Sequence, residues 1–356
     1  MGGRTQYILN TWRHIDRNRF QFDFVTFSQQ LQIESSLKNE GCEIYHISSY
    51  PEKNRELFIK EFKEVLRNGY DIIEIHTSYW RNLIVEELSK EAHIPKVIIH
   101  GHSTGISYLR EGDVDPVKRH YEVKDKLHRG IATDYWACSQ AVAEWLFLPQ
   151  IPKDDVMIIP NSIETDRFRY VPEKRKKIRA ELSLEDKFVL GFVGRLEPVK
   201  NLGFLIDLFC QIINDNENLN LLIVGGGSEE KRIKEMVHSL GVDDKTIFVG
   251  SVSNVEDYYQ AMDLLLLPSF LEGFPLVLLE AQCSGLKCIS IESIPDEAVI
   301  EDKVIRIPLE DKKRWKKTIQ NLVNEDYCRL DMSQQLKKLG MDTEMKTKQI
   351  EKLYLK

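Results

Sequence analysis

Short unbroken apolar runs and longer stretches with a helical repeat alternate along most of this chain. In the second half the alternation is regular. "KFVLGFVG" (187–194) reads as a buried strand, and "NLGFLIDLFCQII" (201–213) as a helix with Asn201 at its N-cap. "LNLLIVGGG" is a second strand running into glycines, followed by a helix from Ser228 to Leu240. "KTIFVG" makes a third strand, "VEDYYQAM" a short helix, "DLLLLP" a fourth strand and "KCISI" a fifth. Between the last two strands, "PLVLLEAQCSG" is a helix with Pro275 near its first turn and Gly285 just past its end. Strands that are apolar throughout, alternating with helices, predict a parallel sheet covered on both faces.

The first half alternates in the same way. Strands are expected at Phe22–Thr26, Glu43–Ile47, Asp71–His76, Lys96–His100, Tyr135–Cys138 and Val156–Ile159, and helices at Arg4–Asp16, Phe27–Asn39, Pro51–Arg67 and Arg81–Glu91. The polar stretch Thr165–Lys177, with Pro172 and a basic cluster, reads as a linker. The predicted fold class is α/β, with two doubly wound, Rossmann-like parallel-sheet domains facing a cleft. Residues 1–164 form the first domain, 165–186 the linker, 187–340 the second domain and 341–356 a final helix. Ligands of such sheets sit beyond the carboxyl ends of the strands. A doubly wound domain should open with a strand, yet "MGGRTQYILN" is a glycine pair running into a helix. The first strand of the N-terminal domain is therefore expected to be missing, with Met1 marking an internal start.

Bulk properties narrow the class. A length of 356 residues suits two domains, and a net charge of -7 argues against a dedicated nucleic-acid binder. No signal-peptide pattern or membrane-length apolar run is present. Six cysteines, at 42, 138, 210, 283, 288 and 328, form no Cys-x-x-Cys pair. That usage suits a reducing cytoplasm and argues against structural zinc.

Candidate chemistry concentrates at strand ends. In "SFLEGFPLVLLEAQCSG" (269–285), Glu272 and Glu280 stand eight positions apart around a Gly-Phe-Pro turn. The helix that follows offers free N–H groups to an anion; dipole complementation and solvation would explain the two carboxylates equally well. "GFVGRLEPVKN" puts Arg195 directly after a strand and Lys200 before the next helix. Two surface cations is the ordinary reading, but at strand ends they can grip a diphosphate. "IVGGGSEE" fails as a dinucleotide fingerprint, because Glu230 stands where the third glycine belongs; Gly225 and Gly227 read as a tight turn. "VIIHGHSTG" ends a strand with His100 and His102, and His76 ends another. Two histidines two apart raise the question of a metal, but no third ligand has convincing spacing, so none is expected. "DVD" (113–115) resembles a metal clamp but is better explained as loop chemistry.

Taken together, "GRLEPVKN", "VGGGSEE", "PSFLEGFPLVLLEAQ" and "IPNSIETDRF" resemble the family 4 retaining glycosyltransferases, which have the GT-B architecture. The resemblance runs over nearly the whole chain and is nearest to the bacterial exopolysaccharide and capsular polysaccharide branch. It implies a retaining transfer of a hexosyl-type sugar from a nucleotide-sugar, with a UDP-sugar favoured, to a glycan or polyprenyl-linked acceptor. No metal or other cofactor is implied. Arg195 and Lys200 would hold the donor diphosphate, Glu272 would lie beside the donor sugar, and Glu280 would bind the ribose. Backbone groups along Gly273, Phe274, Pro275 and Leu276, with Gly225, would assist. Gly2 and Gly3 resemble the family's glycine pair, and His100 its histidine at the reacting sugar, with His102 and His76 as alternative sugar or acceptor contacts. The final helix would pack back toward the first domain. The implied setting is cytoplasmic, with peripheral contact to the inner face of a membrane left open. A nucleotide-sugar epimerase of the same fold, or a non-catalytic nucleotide- or glycan-binding partner, are the competing readings.

Overall fold

The computed structural model describes residues 2–31, 33–106, 115–300 and 302–356. Contacts divide the chain into two units. One comprises Ile8–Ile159 with Thr347–Lys356, and the other Pro160–Lys346 with the chain up to Tyr7. The end of the last helix, Thr343–Tyr354, groups with the first unit from Thr347 onward.

Among the described residues twelve strands are formed. In the first unit they are β1 (Phe24–Thr26), β2 (Ile44–His46), β3 (Ile72–Thr77), β4 (Lys96–Gly101), β5 (Asp134–Ala137) and β6 (Val156–Ile158). In the second they are β7 (Phe188–Val193), β8 (Leu219–Val224), β9 (Thr246–Gly250), β10 (Leu264–Leu267), β11 (Lys287–Ser290) and β12 (Val304–Arg306). The second unit has one parallel sheet in the order β12-β11-β10-β7-β8-β9. The order reverses between β7 and β10, which is the doubly wound arrangement. Its core joins Phe192, Leu221, Ile223, Leu264 and Ile289 of the strands to Leu205, Phe209 and Trp315 of the covering helices. At three residues, β12 is too short to show as an apolar run.

The first unit holds a parallel four-stranded sheet, β3-β4-β5-β6, and a separate parallel pair, β1-β2. Among the described residues no strand precedes β1, and the chain enters directly into the helix Gly3–His14. No described strand bridges β1 to β3, so the two ladders stay apart. The helix expected over Phe27–Asn39 spans only Glu34–Asn39. Phe27 instead stacks on Tyr50, with ring centroids 4.1 Å apart, and on Phe58, extending the apolar cluster beneath the helix Arg55–Leu66. Among the described residues no helix is long and apolar enough to cross a membrane.

The expected linker is a correction. The unit boundary lies after Ile159, and Thr165–Phe168 and Pro172–Glu181 are helices of the second unit. Two of the basic residues that suggested a solvated segment, Arg175 and Arg179, converge on one carboxylate. Arg175 reaches Asp263 Oδ1 at 2.5 Å, and Arg179 reaches Oδ2 at 3.0 Å. Both also donate to backbone carbonyls, Arg175 to Met262 at 2.9 Å and Arg179 to Ala261 at 2.7 Å. Val189 of β7 donates its N–H to the same Asp263 at 2.8 Å. Removing the carboxylate leaves two poorly hydrated guanidinium groups without a counterion. Asp263→Ala should therefore lower unfolding stability by about 3 kcal/mol, read from denaturant melts.

Candidate active site

The reversal of strand order places the loops after β7 and β10 side by side, and both carry charge. Lys200 ends a short turn, Pro198–Lys200, and Asn201 follows in the left-handed region at φ 54°, starting the helix Leu202–Ile213 without a side-chain cap bond. Asparagine tolerates that conformation. Phe270 N–H donates to Val199 O at 2.8 Å, tying the β10 loop to this turn. Across the join, Lys200 Nζ donates to Glu272 Oε1 at 2.6 Å, with side chains only 16% and 10% exposed. Arg195 is exposed on the same loop, and a Cβ placed on Gly2 would lie 3.9 Å from its guanidinium carbon. Gly3 opens the first helix.

Gly225 makes the loops after β7 and β8 interlock. It sits at φ +133°, and a Cβ there would come within 1.9 Å of Gly194 O, an impossible contact. Its role here is close approach of two backbones. The helix after Glu272 runs Leu276–Cys283, with Pro275 at its N-cap. The amides of Leu276 and Val277 have no acceptor within the helix. Phe274 is buried, and its carbonyl accepts from Asn161 Nδ2 at 3.2 Å, so Gly273 and Phe274 form a fixed bend.

Glu280 lies one turn into that helix, and Tyr259 donates its hydroxyl to Glu280 Oε2 at 2.6 Å. Burial pushes the Glu280 carboxyl up to about 7, against the opposing pull of the Tyr259 bond and Arg167. Burial, then the neighbouring Glu280, pushes the Tyr259 phenol well above its ordinary range. The sequence offered no sign of Tyr259, which reads as an ordinary apolar position of its helix.

The first unit carries a histidine cluster. Register pairs His76 of β3 with His100 of β4, and His102 N–H donates to Thr77 O at 3.0 Å. The third histidine that spacing could not supply therefore comes from the neighbouring strand. His100 is fully buried, and its Nδ1 lies 2.8 Å from Glu74 Oε1. Tyr354 donates its hydroxyl to the other Glu74 oxygen. Burial pushes Glu74 up, but His76, His100 and Tyr354 outweigh it and bring it down to about 2. As a carboxylate it can only accept, so His100 Nδ1 carries the proton. Neither Glu74 nor Tyr354 was among the expected residues. The alternation Glu74-x-His76 beside His100-x-His102 is the signal that could have found the first. Of "DVD", Asp113 lies outside the described residues, while Asp115 caps the helix Pro116–Lys124 by accepting from Lys118 N–H at 3.0 Å.

Two family models match in tandem: Glycosyltransferase Family 4 over residues 1–167 and Glycosyl transferases group 1 over 173–339. The chain belongs to the family 4 glycosyltransferases. This glycosyltransferase has the GT-B fold, its two units each built on a parallel, Rossmann-like sheet. It is 24% identical over 309 residues to EpsF of Bacillus subtilis (strain 168), named as a glycosyltransferase, covering 83% of this chain and 77% of that one. It is 26% identical over 322 residues to mannosylfructose-phosphate synthase of Agrobacterium fabrum, covering 80% and 70%. Among solved structures, Anabaena HepE in complex with UDP and glucose superposes with a TM-score of 0.79 at 18% identity, covering 99% of this chain and 95% of that one.

The partly buried Glu280 makes the glycosyltransferase's stability depend on pH. A carboxyl whose pKa is raised on folding binds its proton more tightly in the folded state. Its contribution is complete below its ordinary value of 4.5 and is lost as pH rises through about 7. In Glu280→Gln that loss is absent. The melting temperature of the variant should match the wild type near pH 4.5 and exceed it at pH 8, the gap opening between those values.

Proposed function

We propose that this glycosyltransferase moves a sugar, with retention at the anomeric carbon, from a UDP-sugar to a glycan or polyprenyl-linked acceptor in exopolysaccharide or capsule assembly. The observation that carries the donor half is the Lys200–Glu272 contact at the reversal of strand order, where a doubly wound sheet binds its ligands. UDP as the nucleotude is supported by HepE, which was solved with UDP and glucose and shares the fold. The acceptor rests on the motif resemblance, since the relatives' names point to different products, among them alpha-monoglucosyldiacylglycerol in Streptococcus pneumoniae and mannosylfructose-phosphate in Agrobacterium fabrum. We place the reaction in the cytoplasm, in keeping with six cysteines none of which is joined in a disulfide.

In this reading the donor diphosphate lies against Arg195 and Lys200, with the Leu276 and Val277 amides beside it. One cation about 4 Å from a phosphate charge contributes roughly 4 kcal/mol at an effective dielectric near 20. Two such groups stabilise the charge that grows on the leaving diphosphate as the glycosidic bond breaks, without a metal at the phosphates. Glu272, held by Lys200, accepts from hydroxyls of the donor sugar, and Glu280 from those of the ribose. The acceptor hydroxyl attacks from the side of the leaving group, and a phosphate oxygen takes its proton. By the motif resemblance His100, fixed through Nδ1 by Glu74, is assigned a sugar contact. Catalysis then depends on positioning and preorganised charge.

Lys200→Ala should reduce turnover by about a hundredfold or more, measured as initial rates of sugar release on protein whose melting curve confirms folding. A rate near wild type would remove Lys200 from the mechanism. Thermal shift with UDP, GDP and their sugars should single out the uridine compounds, since stabilisation follows affinity by mass action. Equal shifts with GDP and UDP would overturn the donor assignment.

A further inference from the structure

We propose that His76, His100 and His102 form a binding site for a divalent d-block cation of the zinc class, with Glu74 and Tyr354 orienting the ligands from behind. Strand alternation puts Glu74, His76, His100 and His102 on one face of the sheet, since His76 and His100 are in register and each partner lies two residues away. The three imidazoles offer one nitrogen each, and all three nitrogens lie within 4.8 Å of one another. His76 Nδ1 faces His102 Nε2 at 2.9 Å, and the His100 and His102 rings lie 4.4 Å apart, centroid to centroid. Nitrogen ligands on a tetrahedral zinc, each about 2.0–2.1 Å from the ion, stand roughly 3.3 Å apart. The widest pair here has to close by roughly 1.5 Å to meet that geometry.

Glu74 makes the cluster more than three neighbouring rings. Its Oε1 accepts the His100 Nδ1–H at 2.8 Å, which leaves Nε2 as the lone-pair donor, and it lies 3.7 Å from His76 Nε2. A carboxylate behind a ligating histidine fixes the ring and strengthens the ligand. Tyr354 holds the second oxygen of that carboxylate, and its ring stacks on Trp136, 5.9 Å between centroids. An all-imidazole set favours zinc, nickel or copper over magnesium or calcium. Three protein ligands leave the fourth tetrahedral position for an oxygen ligand, water or a sugar hydroxyl. With a cation bound, the sugar contact assigned to His100 passes to that position. The site belongs to the other unit from Lys200 and Glu272, so it stands or falls apart from the donor assignment.

The test is cobalt titration of the untagged full chain after chelator treatment, followed by visible absorption. The expected result is one cobalt per chain with the intense bands of tetrahedral coordination, displaced by zinc. Binding should weaken at least tenfold in His76→Asn and in His102→Asn, and about tenfold in Tyr354→Phe. Cys328→Ser, which removes the exposed thiol, should bind as the wild type does. Zinc should also raise the melting temperature of the wild type and not of the histidine variants. No saturable cobalt binding, or the same affinity in folded His76→Asn as in the wild type, would overturn the proposal. Should a histidine variant fail to fold, Tyr354→Phe and the wild-type stoichiometry decide: a wild type without stoichiometric tetrahedral cobalt refutes it.

Discussion

The contact between Lys200 and Glu272 depends on where the strand order of one sheet turns around. β7 and β10 are neighbours although two strands and three α-helices separate them in the chain. Only at that point do two consecutive loops leave the sheet edge on diverging paths with room between them. One loop ends in a cation and the other carries a carboxylate 72 residues away. The glycines behind them serve the same end. Gly225 lets the β8 loop press on Gly194, and Leu196 N–H and O are both bonded to that loop, at Gly226 and Glu229. The β7 loop is thereby stiffened on one side, while the Phe270–Val199 bond holds it on the other.

The sheets were legible because burial on both faces writes itself as apolar runs, and the runs at Leu219–Val224 and Leu264–Leu267 became buried strands. Charge was a poorer guide. Residues Arg175 and Arg179 read as solvated because a local pattern cannot show that Asp263, more than eighty residues on, will meet both. The same blindness hid His76 as a partner of His100, since register between strands is set by tertiary packing. Elements of three or four residues, such as β12 and the helix Thr165–Phe168, carry too few positions for any period to emerge.

The histidine end shows how a short local pattern acquires chemistry from a distant segment. On its own, a glutamate two residues before a histidine in a strand is only a pair on one face. The chain's last helix brings Tyr354 to the free oxygen of Glu74, and Trp136 stacks on the Tyr354 ring. With both oxygens engaged, the carboxylate cannot rotate away, and His100 has a single tautomer available to it. A buried acid that would otherwise take up a proton is kept ionised by what surrounds it.

Glu272 and Glu280 look interchangeable as two carboxylates around one turn, yet the structure makes them opposites. Glu272 is paired with an ammonium group, so its charge is balanced before any ligand arrives. Glu280 has a neutral phenol for a partner, and burial raises it to about 7. A balanced carboxylate beside a lysine suits a place where a diphosphate's charge must be managed, because the lysine can shift between two anions at little cost. A carboxyl near neutrality suits hydroxyl recognition: it accepts when ionised and both donates and accepts when protonated. The spacing in the sequence thus encodes geometry alone, and the chemistry of each carboxylate comes from its folded surroundings, an ammonium partner for Glu272 and burial for Glu280.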